Sequence, residues 1–283
     1  MKFVRSQLFW VISFTFILGL CMSILSKSFS TSENLYNITR NSSFYAIMAL
    51  GQSWVILTGG IDLSVGSVMA LSGISTALML AAGYSFYVSI SVAIGISLLC
   101  GLINGILIAR FKLSPFIVTL GMLSIARSIC LIISGNKMIY SFGEYEDSFL
   151  ALGSSHFWGL SFSSWIAIII AIFSTITMKK LVIGRYLYAT GYNEKSCRSC
   201  GVPVIKTKII AYSFSAVTAG IAGILTVSWL GSATTGLGTG DELTVIAATV
   251  LSGFSLSGGF GTPWAPIAGA LLIELVRNSL LLI

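Results

Sequence analysis

Long apolar blocks alternate with short polar islands along the whole chain, and this pattern predicts helices that cross a bilayer. A hydrocarbon slab near 30 Å thick requires about 18 to 20 apolar residues in helical conformation. Such runs fall near 3–25, 41–58, 65–82, 86–109, 114–134, 163–178, 209–230, 242–257 and 263–283, which makes about nine spans. Stretches such as Ile166–Ile172 are apolar on every side, unlike the alternating segments of a transmembrane β-barrel. The expected fold class is all-α, a polytopic transmembrane helical bundle forming a single domain over 1–283. The first block follows Lys2 and Arg5, but it exceeds the 7 to 15 residues of a signal-peptide core and reads as the first span.

Composition narrows the class further. With 55% hydrophobic and 9% charged residues, the chain is far from the quarter-charged balance of a soluble globular enzyme. Sixteen Lys and Arg against nine acids give a net charge of +7, and their placement tells the lipid bilayer from nucleic acid as the partner. Cytoplasmic loops retain positive charge. With the N-terminus inside, the inner islands hold Lys2, Arg5, Arg110, Lys112, Lys179, Lys180, Arg185, Lys195, Arg198, Lys206 and Lys208, while the outer ones hold Lys27, Arg40 and Lys137. This predicts a multi-pass inner-membrane protein that binds no nucleic acid. Arg127, Glu274 and Arg277 fall inside apolar runs, where an ionised group faces the bundle interior or a partner. Glu274 and Arg277, three residues apart on one helix face, are expected to pair.

Catalytic chemistry is not expected. The five cysteines are an odd number with three inside apolar runs, so no disulfide framework is indicated. Cys197 and Cys200 form a CxxC, but His156, the one histidine, is distant in sequence, and no zinc site follows. No intramembrane nucleophile with its base, and no cofactor-binding motif, is evident.

Two Gly-rich interruptions stand out. Thr58-Gly59-Gly60-Ile61-Asp62-Leu63-Ser64-Val65-Gly66-Ser67 reads as a helix stop followed by a start, with Asp62 as N-cap of the next helix. Leu256-Ser257-Gly258-Gly259-Phe260-Gly261-Thr262-Pro263 is the related break of the second half, on the same inner side. Matching Gly/Pro interruptions in two halves point to a transporter's pathway, so Gly59, Gly60, Asp62, Ser64, Gly258 and Gly259 are the pathway candidates. Small residues at Gly101–Gly105 and Ala216–Gly223 suit close helix packing in lipid.

The largest inner island, about 179–208, carries seven positive charges: Lys179, Lys180, Arg185, Lys195, Arg198, Lys206 and Lys208. A short interfacial helix ending near Cys200 is expected there, serving as a connector or a docking surface. The chain has no Gly-x-x-x-x-Gly-Lys-Ser/Thr, so any ATP is bound by another subunit.

Three motifs in order, Gly59-Gly60-Ile61-Asp62-Leu63-Ser64-Val65-Gly66-Ser67, Gly184-Arg185-Tyr186-Leu187-Tyr188-Ala189 with Gly191-Tyr192-Asn193-Glu194, and Leu256-Ser257-Gly258-Gly259, resemble the permease subunits of bacterial ribose-type ABC importers. Ser30-Thr31-Ser32-Glu33-Asn34-Leu35 extends the likeness to nearly the whole chain. The resemblance implies two permeases, identical or paralogous, around one path, an ATP-binding cassette subunit on the inner loop, and a periplasmic sugar-binding protein. Its substrates are monosaccharides such as ribose, xylose or galactose, or autoinducer-2. Gly184, Arg185, Asn193, Glu194, Arg198 and Gly201 then belong to the coupling element, one helix running to Gly201. Where the family carries Asn-Glu-x-Ala-Ala-Arg-Leu-Ser-Gly, this chain has Asn193-Glu194-Lys195-Ser196-Cys197-Arg198-Ser199-Cys200-Gly201. Family members continue beyond Ile283 with a further span and a cytoplasmic tail, so a C-terminally shortened permease is expected. An ion-coupled secondary transporter or channel for a small polar solute is the alternative, though such proteins carry more ionisable groups within their spans.

Overall fold

A computed structural model describes residues 7–282; Lys2, Arg5, the start of the first expected span and Ile283 lie outside the described residues. The first half holds α1 (Gln7–Leu25), α2 (Ser32–Leu57), α3 (Val65–Ala81), α4 (Phe86–Ala109) and α5 (Pro115–Ser134). After α6 (Glu146–Ser154), α7 (Phe162–Lys180), α8 (Val182–Tyr192), α9 (Glu194–Ser199), α10 (Val204–Leu230), α11 (Asp241–Leu251) and α12 (Ala265–Leu282) follow. A helix lies at each of the nine apolar runs. Among the described residues six helices are long and apolar enough to cross a membrane, namely α1, α4, α5, α7, α10 and α12, so the count of nine is approximate.

The other three depart for physical reasons. α2 begins at Ser32, nine residues before its apolar run, because Thr31 accepts the Asn34 amide and caps a polar first half containing Glu33, Asn37 and Arg40. α3 has 17 residues and α11 only 11. The run expected to 257 leaves the helix at Leu251 and turns into the second Gly-rich break. The island at 135–161 also contains structure that the pattern did not foretell: a 3₁₀ turn at Gly143–Tyr145, α6, and a hairpin pairing His156–Phe157 with Leu160–Ser161.

α2, α3 and α10 form the centre. α2 is buried from Ala46 to Leu57 and α3 from Val65 to Ala77. α1, with Trp10, Phe16 and Ile24 exposed, presents an apolar face suited to lipid. Lipid supplies no hydrophobic drive between helices, so close backbone approach and interhelical hydrogen bonds must hold them. The small-residue stretches do this: a Cβ on Gly101 would stand 2.8 Å from the Cα of Ser213, and one on Gly105 2.7 Å from the Cα of Ile209, both on α10. Trp54 ties three helices together, donating to the Ser174 hydroxyl of α7 at 2.8 Å and lying 4.2 Å from the Phe214 ring of α10.

The chain reversals make two ends. One, the arm end, gathers 58–64, 110–114 and 252–264 beneath an arm made of α8 and α9. At the other, Ile139 pairs with Ala233 in a bridge between 135–161 and 231–240. The segment 231–240 also folds back into the bundle, its Gly238 packing on the backbone of Gly66 in α3.

Candidate functional site

The first break begins with a C-terminal glycine cap. Gly59, at φ +76°, and Gly60 donate their amides to Ile56 and Val55 at 2.9 and 3.1 Å, the two bonds that close a helix when the residue after the cap is left-handed. A Cβ on Gly60 would overlap the Tyr212 hydroxyl of α10.

Asp62 then braces the turn instead of capping α3. The cap position is Ser64, whose side chain makes no cap bond. One Asp62 carboxylate oxygen accepts the Ser64 amide at 2.9 Å and its hydroxyl at 2.6 Å, and the other accepts the Ser215 hydroxyl of α10 at 3.0 Å. Asn104 of α4 donates to the Ser64 hydroxyl at 3.0 Å. Asp62 is fully buried, and a buried polar group is costly unless it is hydrogen-bonded. The sequence-derived N-cap is thus corrected: Asp62 ties the turn before α3 to α10, and Asn104 of α4 joins the network through the Ser64 hydroxyl.

The second break lies directly on the first. The Gly259 amide donates to the Leu57 carbonyl, the last of α2, at 2.9 Å. Gly258 approaches both Gly59 and Gly191. Gly191, in the last turn of α8, fills the remaining space: a Cβ there would overlap the Leu57 oxygen and the Gly259 nitrogen. Three glycine motifs far apart in sequence therefore meet at one junction.

α8 is seated on this junction by three further contacts. Leu187 is fully buried among Leu57, Tyr212 and Phe254, the Tyr188 hydroxyl donates to the Gly261 carbonyl at 2.7 Å, and Gly184 is buried against the end of α7. Arg185 points outward and is exposed. The expected single coupling helix is two helices, because Asn193 leaves helical geometry and its side chain accepts the Ser196 amide at 3.0 Å as the N-cap of α9. Gly201 lies exposed after α9.

Glu194 holds α9 to α10. Its carboxylate meets Lys208 at 2.6 Å and Arg198 at 2.7 Å. Partial burial pulls the carboxyl upward, but hydrogen bonds and charge from Lys208 and Arg198 outweigh it and hold the group below its ordinary value.

The in-span charges take unexpected partners. Glu274 and Arg277 form no ion pair; Glu274 accepts from Asn41 at 3.1 Å and Arg277 donates to the Tyr45 hydroxyl at 2.9 Å, both on α2. Arg127 of α5 donates to the backbone carbonyls of Thr235 and Leu237. Sequence reasoning singled out these three charges but not Asn41 and Tyr45, polar groups within the run 41–58, or Asp241, just before the run 242–257.

Residues 34–283 match the family described as branched-chain amino acid transport system / permease component. The chain belongs to this permease family. The permease is 38% identical to the ribose import permease RbsC of Escherichia coli K12 over 260 residues, 92% of this chain and 81% of that one. It is 35% identical to RbsC of Bacillus subtilis 168 over 94% of this chain and 82% of that one, and 34% identical to the L-arabinose transport system permease AraH of E. coli K12 over 93% and 80%. Among solved structures, an ABC transporter in an inward-facing conformation aligns at a TM-score of 0.48 and 14% identity, over 96% of this chain and 89% of that one. As a multi-pass permease component, the protein translocates a solute with an ATPase partner and is not itself an enzyme.

Proposed function

We propose that the permease carries a monosaccharide of the ribose or arabinose type into the bacterial cytoplasm, with ATP bound and hydrolysed on a separate cassette subunit. The N-terminus and arm end face the cytoplasm, a periplasmic binding protein delivers the sugar, and a second permease, identical or paralogous, completes the path. The relatives at 34–38% identity named for ribose and L-arabinose support the substrate class.

The observation that carries the mechanism is the seating of Gly191 between Leu57 and Gly259. The ATPase docks on α8 and α9, with exposed Arg185 and Arg198 as its contacts. Because α8 has no space to slide over the breaks, closure of the ATPase moves α8 and both breaks together, and α2 and the 252–264 segment follow. Asp62, with Ser64 and Asn104, keeps α3, α4 and α10 with them. Coupling of this kind requires contacts that differ between two states, and rigid-body rocking of packed segments supplies them.

The test is purification of a tagged permease from its native host, followed by transport in liposomes. An ATPase subunit that co-purifies, together with sugar uptake that needs internal ATP, is the expected result. Uptake that survives ATP depletion but collapses with the ion gradient overturns the reading in favour of an ion-coupled carrier.

A further inference from the structure

Glu274 and Arg277, which form no ion pair with each other, line one cavity. It has a volume of about 230 Å³ and lies between α2, α10, α11, α12 and the folded-back 231–240 segment. Tyr45 is near the middle of the 26-residue α2 and Glu274 near the middle of the 18-residue α12; the cavity lies away from the arm and opens to the surface beside the exposed Arg277 and Leu281. Asp241 opens α11, a helix less than half the length of α10. Irregular backbone at membrane depth is tolerated where it is buried in protein or lines a watery cavity, and 231–240 does so with Leu237 in the cavity wall and its carbonyls held by Arg127.

The polar wall is arranged but incomplete. Arg277 donates to the Tyr45 hydroxyl, which donates to Asp241 at 3.2 Å, and Asn41 donates to one oxygen of Glu274. The second Glu274 oxygen and the Asn41 carbonyl oxygen are buried without a partner, and Glu274 is only 4% exposed. With Glu274 ionised both orphans are acceptors, and a group that brings hydrogen-bond donors complements them. Trp229 and Phe44, ring centroids 6.0 Å apart, add apolar faces, and Arg40 lies 4.2 Å from the Trp229 ring.

We infer that this cavity is the permease's own sugar site, binding one monosaccharide through its hydroxyls during passage; the inference rests on the reading of the chain as a sugar permease. Sites for drug-sized ligands occupy roughly 300–1,000 Å³, so this smaller one suits a single furanose or pyranose ring. Sugar hydroxyls donate to Glu274 and Asn41, while C–H faces of the ring rest on the aromatic wall. A metal ion is disfavoured by the Arg277 guanidinium. A free amino acid would bring a carboxylate towards two acids, with Arg277 already engaged by Tyr45.

The test uses the complete transporter, permease with its ATPase and binding-protein subunits, in liposomes, with D-ribose and L-arabinose as probes. Glu274→Gln is expected to lower uptake about tenfold or more at saturating loaded binding protein, the effect of one charge-assisted hydrogen bond, in a variant that still co-purifies with the ATPase. Undiminished uptake by that variant overturns the site, whereas no uptake of either sugar by the unaltered transporter overturns the sugar reading itself. If Glu274→Gln does not assemble, Thr226→Cys in the cavity wall carries the test, in a permease whose exposed Cys21 and Cys200 are replaced by Ser. Millimolar D-ribose or L-arabinose is expected to slow maleimide modification at position 226. A transporter that takes up these sugars without such slowing overturns the site, and slowing by L-leucine alone overturns the ligand class.

Discussion

The Gly259 amide donates to the Leu57 carbonyl at 2.9 Å, joining the end of α2 to a turn two hundred residues later. Without that donor, Leu57 would present a free carbonyl at a buried helix end. The bond forms because neither Gly259 nor Gly191 has a side chain to hold the backbones apart.

Replacing Gly191 with Ala places a methyl group on Leu57 and Gly259. Overpacking of this kind costs about 1–3 kcal/mol, so a lower unfolding midpoint in detergent and weakened ATP-coupled uptake are expected. Gly121→Ala in α5 is the control, because a Cβ there meets nothing within 4 Å; equal losses for the two variants would contradict the packing argument.

Asp62→Ala leaves the Ser64 amide and the Ser64 and Ser215 hydroxyls short of their acceptor. Each orphaned buried donor costs about 1–3 kcal/mol. Asp62→Asn keeps one acceptor oxygen and can donate to Ser215, so it is expected to melt between Ala and the native protein in a thermal shift series.

Removing Arg127 frees the Thr235 and Leu237 carbonyls, and hydrogen bonds to a charged group contribute about 1.5–3 kcal/mol. Arg127→Ala is expected to raise amide hydrogen exchange across 231–240 while leaving the arm's exchange unchanged. Uniform loosening of the whole chain would instead indicate global destabilisation.

The α9 anchor depends on pH in a known direction. Glu194 has its carboxyl held below the ordinary value of about 4.3 by Lys208 and Arg198, so its stabilisation is present above that value and lost as pH falls through the lowered folded-state value. Limited proteolysis between Asn193 and Lys208 is expected to accelerate in that acid window. Lys208→Ala moves the onset to higher pH; an unchanged onset would show that the ion pair does not anchor the helix.

Much of this organisation was legible in the chain. Run length and hydropathy are local properties, so the helices at 86–109 and 115–134 fall within a residue of their expected edges. The glycine signal at 59–60 marked the end of α2, because a left-handed cap is set by a few neighbouring residues, whereas Gly258 and Gly259 lie within the second break and cap no helix, α11 having ended at Leu251. The start of α2 was missed, since its polar first half is held by a cap and by contacts with α12 and not by apolar content.

The sequence by itself determined a helical membrane permease with two breaks and a basic arm, through composition, periodicity and order of motifs. Tertiary structure alone decided which polar groups meet. Asn41 and Glu274 are 233 residues apart in the chain, and neither Gly191 as the wedge under α8 nor Asp62 as a brace to α10 could be read from its neighbours. Hydrophobicity acts through runs of adjacent residues, whereas a buried hydrogen bond is fixed by where distant helices come to rest.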